Sequence, residues 1–209
     1  MKISLTACLV LIAASLAHAQ PSNPSKGQVY PTKPVRVIVP FAPGGGSDIL
    51  ARQLAPKLYA YLGQAFIVDN RGGAGGAIGA DIAARAAPDG YTIITVSGSF
   101  AANAAVYKSA FDPATGVAPI VEIGFSPFLV AVNPAVPARS LKELIAHARQ
   151  NPGRLNYGTG GAGSITHLAT ELLAAMGGVK LVHVPYKSSA IALTNMIGGQ
   201  IQLDRKSVV

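Results

Sequence analysis

Residues 37–48 read VIVPFAPGGGSD, and this stretch decides the fold. Val35, Val37, Ile38 and Val39 form a short β-prone apolar run that ends at Pro40. Three glycines follow, then Ser47-Asp48, which stand where a helix N-cap belongs. Beyond them Leu50, Leu54, Leu58 and Leu62 recur at helical spacing, Pro56 predicts a kink, and Gly63 closes the pattern. A strand, a glycine turn and a helix start aim unpaired N–H groups and a positive dipole end at one point, which favours an anion.

The same order recurs along the chain. Phe66-Ile67-Val68 runs through Asp69-Asn70-Arg71 into Gly72–Gly76 and a small-residue helix with Ile78, Ile82 and Ala83 on one face. Tyr91–Val96 is a third β run, followed by Ser97-Gly98-Ser99, whereas residues 100–127 show no clear period. Phe128–Val132 is a fourth. Ser140-Leu141-Lys142-Glu143 is a capping box for a helix that turns Leu141, Leu144, Ile145 and Ala148 inward and stops at Asn151-Pro152-Gly153. A strand at Arg154–Tyr157, a loop at Gly158–Gly163 and a helix at Ser164–Met176 come next. Then follow a strand at Leu181–Val184, a helix bearing Ile191, Leu193, Met196 and Ile197, and the start of another strand at Ile201-Gln202-Leu203. Strands alternating with helices predict an α/β fold with parallel-rich sheets, in two lobes joined near 128–132. Ligands of such sheets bind outside the carboxyl ends of the strands, where the glycine and serine loops lie.

Residues 1–19 stand apart. Lys2 is a one-charge n-region, Ile3–Leu16 an apolar h-region and Ala17-His18-Ala19 a cleavage site, so a signal peptide is expected to be cut between Ala19 and Gln20. Leu5–Cys8 imitates a lipoprotein box but precedes most of the apolar segment, which argues against lipidation. Gln20–Lys33, rich in Pro, Ser and Asn, reads as a flexible leader. Cys8 is the single cysteine, so the exported product relies on its core rather than on disulfides, and a periplasmic location follows. Lys2 is one of 17 basic residues; without it, the 9 acidic residues leave a net charge of +7. The basic residues are scattered and there is no Trp, which excludes a nucleic-acid surface.

Three kinds of chemistry compete here with ordinary structure. Gly158–Gly163 matches G-x-G-x-x-G between a strand and a helix, but no acidic ribose partner follows about 20 residues on. An exported enzyme that binds NADP or hydrolyses its substrate through this loop is the alternative reading. Ser164 and His167 are three apart on one helix, where neighbouring side chains arise by default, and no G-x-S-x-G elbow exists. His147, His167 and His183 lack metal-ligand spacing, so neither a metal nor a cofactor is expected. Each glycine loop alone is an ordinary connection; three, each leading to a helix start, favour anion capture.

The chain resembles the periplasmic substrate-binding receptors of the tripartite tricarboxylate transporter class, the Bug family. The resemblance rests on YPTKPVRVIVPFAPGGGSDILAR (30–52), VDNRGGAGGAIGAD (68–81), APDGYTI (87–93), LNYGTGGAGSITHLATELL (155–173) and VPYKSSAIAL (184–193). It implies a two-lobed periplasmic-binding-protein fold of the Venus-flytrap type, with lobe one at 34–127 and lobe two at 128–203. It further implies a monomer without catalysis that holds a small organic acid or amino acid between the lobes and delivers it to membrane permease subunits. Carried over by position, Pro43, Gly44, Gly45 and Asp48 form the first-lobe loop, with Gly75, Gly76, Ser97 and Ser99 alongside. Thr159, Ser164, Thr166 and His167 hold a carboxylate at the second-lobe helix start, with Lys187 close by. Asp48, an acid in an anion site, would accept an amino group or act through water. The chain departs from the family pattern at three loop positions: Gly72 stands where the family usually has proline, Gly160 where it has serine, and Ser188 where it has glycine.

The family pattern continues for roughly another hundred residues, an ordinary size for completing two lobes. Asp204-Arg205-Lys206-Ser207-Val208-Val209 matches one reading frame of a common sequencing adapter, GAT CGG AAG AGC GTC GTG and a stop. The expectation is that residues 204–209 are adapter read-through; resequencing intact DNA and recovering the same codons and stop would refute it. A chain lacking those strands is expected to expose apolar sheet edges and to aggregate.

Overall fold

The computed structural model describes residues 29–107 and 112–207. The predicted signal peptide, its cleavage site, residues 20–28 of the leader and the last two residues of the tail lie outside the described residues. Two sheets, each with its own helices, make the two lobes.

In the first lobe β1 (Val35–Val39) is the central strand, with β2 (Phe66–Asn70) and β3 (Thr92–Ile94) parallel on either side. Val35, Ile38 and Val39 are fully buried, as a strand covered on both faces requires. Helix α1 (Gly46–Leu62) returns the chain from β1 to β2 and packs Ala51 on Val37 and Val39, with Phe66, Val68 and Ile93 around them. It runs unbroken through Pro56, which is exposed, and ends where Gly63 turns left-handed and donates its N–H to Tyr59 O. A short 3₁₀ turn at Ala74–Gly76 leads into α2 (Ala77–Ala84). Ile78 on this helix is half exposed, and Gly79 and Ala80 are its buried residues. A Cβ at Gly79 would lie 2.7 Å from Pro40 Cα, so the backbones approach too closely for a large side chain to face inward. Helix α3 (Ser99–Val106) resolves part of the stretch that has no sequence period.

The second sheet has the order β4-β7-β5-β6. Strand β4 (Phe128–Val132) is antiparallel to β7 (Leu203–Ser207), while β5 (Asn156–Thr159) lies parallel to both β7 and β6 (Val182–Pro185). One face is covered by α4 (Leu141–Gln150), which buries Leu144 and Ala148 with Val136, Leu155, Tyr157 and Leu203. Ser140 Oγ accepts the Glu143 N–H as expected of the cap, but Glu143 Oε2 accepts the N–H of Arg139, one residue before the N-cap, and Leu141, expected inward, is half exposed. Helix α5 (Ile165–Gly177) follows β5 and ends at left-handed Gly178. The other face of the sheet is covered by α6 (Ser189–Ile197), through Ala192, Met196 and Ile201. Because β5 begins two residues later than the sequence suggests, Thr159 is its last residue rather than a loop residue. Residues 117–127 carry neither helix nor strand and leave Ile120, Val121 and Phe125 exposed. Residues 204–207 complete β7 through backbone pairing.

Candidate ligand-binding site between the lobes

The first jaw is the β1–α1 loop. Gly45, not Ser47 or Asp48, is the N-cap of α1, and it offers no side chain to the first turn. Asp48 lies within that turn, 3% exposed, and accepts from Gly44 N at 2.9 Å, Arg52 Nε at 3.0 Å and Asn70 Nδ2 at 2.9 Å. Asn70 also donates to Phe41 O at 3.0 Å and accepts from Arg52 Nη2 at 2.9 Å. Burial pushes the Asp48 carboxyl up, but the bonds from Arg52, Gly44 and Asn70 outweigh it and hold the group below the usual carboxylate range. Its lone pairs are turned onto its own loop. This carboxylate ties the β1–α1 loop to Arg52 and to Asn70 at the end of β2.

The second jaw is the loop from Thr159 to α5. Ser164 caps α5, its Oγ accepting the His167 N–H at 3.3 Å and lying 3.0 Å from Thr166 Oγ1. Thr166 Oγ1 in turn accepts from Gly160 N at 3.4 Å. His167 Nδ1 accepts from Gly163 N at 3.2 Å, which places the neutral ring's proton on Nε2. Behind the loop the rings of His167 and His183 stack with centroids 4.0 Å apart, and Tyr157 stacks on His183 at 5.0 Å. Thr159 Oγ1 meets His183 Nε2 at 2.7 Å, and Tyr157 Oη donates a short hydrogen bond to Glu171 Oε1. Burial, reinforced by His167, lowers the His183 pKa to about 4 against a smaller opposing pull from Glu171. Burial and the Glu171 carboxylate raise that of Tyr157.

The jaws meet directly. Ile165 N donates to Ser99 Oγ at 3.0 Å, Ala42 N to Lys187 O at 3.0 Å, and Tyr107 Oη to Ala162 O at 2.9 Å. Gly75, at φ +60°, lies so close to the second jaw that a Cβ there would be 2.3 Å from Ala162 O and 2.7 Å from Ser164 N. The Phe41 ring lies against Gly76 and Gly160.

Of the residues expected here, Gly45, Gly75, Gly76, Ser99, Thr159, Ser164, Thr166 and His167 converge on this junction. Pro43, Gly44 and Ser97 are exposed at its edge, Ser97 Oγ accepting from Ser99 N at 3.4 Å. Lys187 joins the lobes through its backbone carbonyl, and its side chain is exposed. Sequence reasoning missed Phe41, Asn70, Asn103, Tyr107 and His183. Asn70 closes a β run and Asn103 is the lone amide in Ala101–Val106, and each was a readable signal; Phe41 and Tyr107 carried none.

The alternative enzyme chemistry has no geometry here. Gly158 lies inside β5, where a Cβ would be 2.4 Å from Ile201 Cδ1 and 2.9 Å from Ala192 Cβ, so it is a packing glycine rather than the first turn of a phosphate loop. The His167 Nδ1 lone pair is taken by the Gly163 N–H, and the partners of Ser164 Oγ among the described residues are the His167 backbone N–H and Thr166 Oγ1, neither of them a base. No cluster of metal-ligating side chains occurs among the described residues.

Comparison with known proteins finds chains similar to this one. Residues 50–208 match the model of the tripartite tricarboxylate transporter family receptor. Protein BugT of Bordetella pertussis is 36% identical over 205 residues, covering 97% of this chain and 63% of that protein. The periplasmic binding protein BugD is 35% identical with a TM-score of 0.79, over 85% of this chain and 60% of that one. Rpa4515 of R. palustris, solved with adipate, is 41% identical with a TM-score of 0.81, over 85% and 60% of the two chains. The chain thus spans about three-fifths of the length of the relatives it matches.

Proposed function

Since the chain belongs to the tripartite tricarboxylate transporter receptor family, whose structural neighbours are solute-binding proteins rather than enzymes, we propose that it captures a small organic acid between its lobes in the periplasm. The observation that carries this reading is the meeting of two helix starts at one interlobe junction, α3 where Ser99 Oγ accepts the Ile165 N–H, and α5 with the hydroxyls of Ser164 and Thr166. Backbone N–H groups and two positive dipole ends there suit a carboxylate. Pro43, Gly44, Gly45, Gly75, Gly76, Ser97 and Ser99 form one side of the site, and Thr159, Ser164, Thr166, His167 and Lys187 the other. Asp48 acts from behind, through Gly44.

A ligand that touches both lobes favours the closed over the open arrangement, and the closed form docks on permease subunits of the transporter. The lobes are assigned to 34–127 and 128–203. Calorimetric titration of a completed gene product with a panel of organic acids that includes adipate, and with NADP, tests the proposal. Saturable binding of a carboxylate supports it; binding of NADP with no response to any carboxylate overturns it.

A further inference from the structure

Helix α3 of the first lobe is fastened to the second lobe at both of its ends. At its start, Ser99 Oγ accepts the Ile165 N–H at 3.0 Å. At its C-cap, Tyr107 Oη donates to Ala162 O at 2.9 Å, while the Tyr107 N–H closes the helix on Asn103 O at 2.8 Å. The Tyr107 ring also covers the second jaw, because a Cβ at Gly163 would stand 2.6 Å from its Cε2. Between the two ends, Asn103 Nδ2 donates to Gly75 O at 3.1 Å and ties α3 to a loop of its own lobe.

The two fastenings draw on opposite chemistry. The Ser99 bond occupies a backbone N–H in the first turn of α5, a donor with no intrahelical partner. Ala42 N, in the β1–α1 loop, is occupied in the same way by Lys187 O at 3.0 Å. A carboxylate only accepts, so it competes for these N–H groups. Tyr107 instead satisfies a carbonyl, with which an anion cannot pair. A carboxylate that enters the junction therefore exchanges with Ser99 and leaves the Tyr107 bond in place.

We propose that Tyr107 is a positioning residue that holds the lobes closed over a bound carboxylate and sets its rate of release, while Ser99 yields its donor to that ligand. The inference rests on the carboxylate reading above. Tyr107 acts through the Ala162–Gly163 backbone and not by touching the ligand. Release requires the lobes to part, and parting breaks the bond from Tyr107 to Ala162. The loss of that bond therefore shows in the dissociation rate, whether the empty protein rests open or closed.

The test binds radiolabelled succinate, adipate, butyrate and hexanoate, each in turn, to a completed gene product and chases them with excess unlabelled acid. For an acid that binds, Tyr107→Phe should speed release about three- to tenfold, as the loss of one hydrogen bond in the closed state allows. Phenylalanine keeps the ring on Gly163 and removes the hydroxyl alone. Ser99→Ala should release the acid at the parent rate. Each variant deletes one hydroxyl and one bond between the lobes, so a merely structural role would move the two rates alike. Release from Tyr107→Phe at the parent rate, or an equal acceleration in Ser99→Ala, overturns the inference and leaves the carboxylate reading standing. Failure of every acid in this and the wider panel to bind the unaltered protein overturns that reading, and this inference with it.

Discussion

The Ser99 hydroxyl accepts the Ile165 N–H at 3.0 Å, so a first-lobe side chain satisfies the first turn of a second-lobe helix. A helix start leaves such donors without intrahelical partners, and here the opposite lobe provides the acceptor. The same N–H is therefore available to a ligand oxygen only by exchange with Ser99. On the function proposed above, closure without ligand and capture of a carboxylate would draw on one donor.

Ser99→Ala should weaken the unliganded closed arrangement by about 1 kcal/mol, the net worth of one hydrogen bond. Small-angle scattering of the variant without ligand should give a larger radius of gyration than the parent chain. An unchanged radius would mean that this bond does not hold the lobes together.

Gly75→Ala should be far more damaging to binding than Gly63→Ala. Both glycines have positive φ, at +60° and +71°, so each alanine carries a left-handed penalty of about 1–2 kcal/mol. Only at Gly75 does the added Cβ strike the second jaw, since nothing lies within 4 Å of the one at Gly63. Calorimetry should find ligand affinity reduced at least about tenfold for Gly75→Ala, beyond any loss shared with Gly63→Ala. Equal effects would show that the two loops need not approach each other.

Asp48→Ala should lower stability by about 3 kcal/mol or more, because it strips partners from Gly44 N and Asn70 Nδ2 and unpairs Arg52. Arg52→Ala should cost less, since that side chain is half exposed. Denaturant melts of the two variants would rank them; the reverse order would put Asp48 in a ligand-facing role after all.

Acidification should destabilise the fold through His183. Its pKa is about 4 in the folded chain against an ordinary 6.5, so between these values the unfolded chain takes up a proton that the folded chain refuses. Stability therefore falls as the pH drops from 6.5 towards 4, and the loss is complete below that. His167, stacked on the ring, adds to the effect, while Glu171 opposes it. Melting temperatures across about pH 7 to 5 should fall less steeply in His183→Gln, which keeps a partner for Thr159; an identical slope would remove His183 from the account.

Much of this was readable from local pattern. The β1 run, the Ser140 cap and the glycine ends of α1 and α5 are short-range features, and each appears within a residue or two of its expected place. One local reading failed: the helix starts at Gly46, ahead of Ser47-Asp48, and Arg52 and Asn70 claim the Asp48 carboxylate. Asn103, alone among alanines, gains its meaning only from Gly75 and Gly163.

By itself the sequence determined the alternation of strands, loops and helix starts, because hydrophobic period, glycine turns and caps act over a few residues. Tertiary structure alone decided which loops face each other. The pairing of Gly75 with Gly161–Ser164, of Ser99 with Ile165 and of Ala42 with Lys187 joins residues some 65 to 145 positions apart. Contacts at such separation depend on how two sheets pack, and no local propensity encodes them.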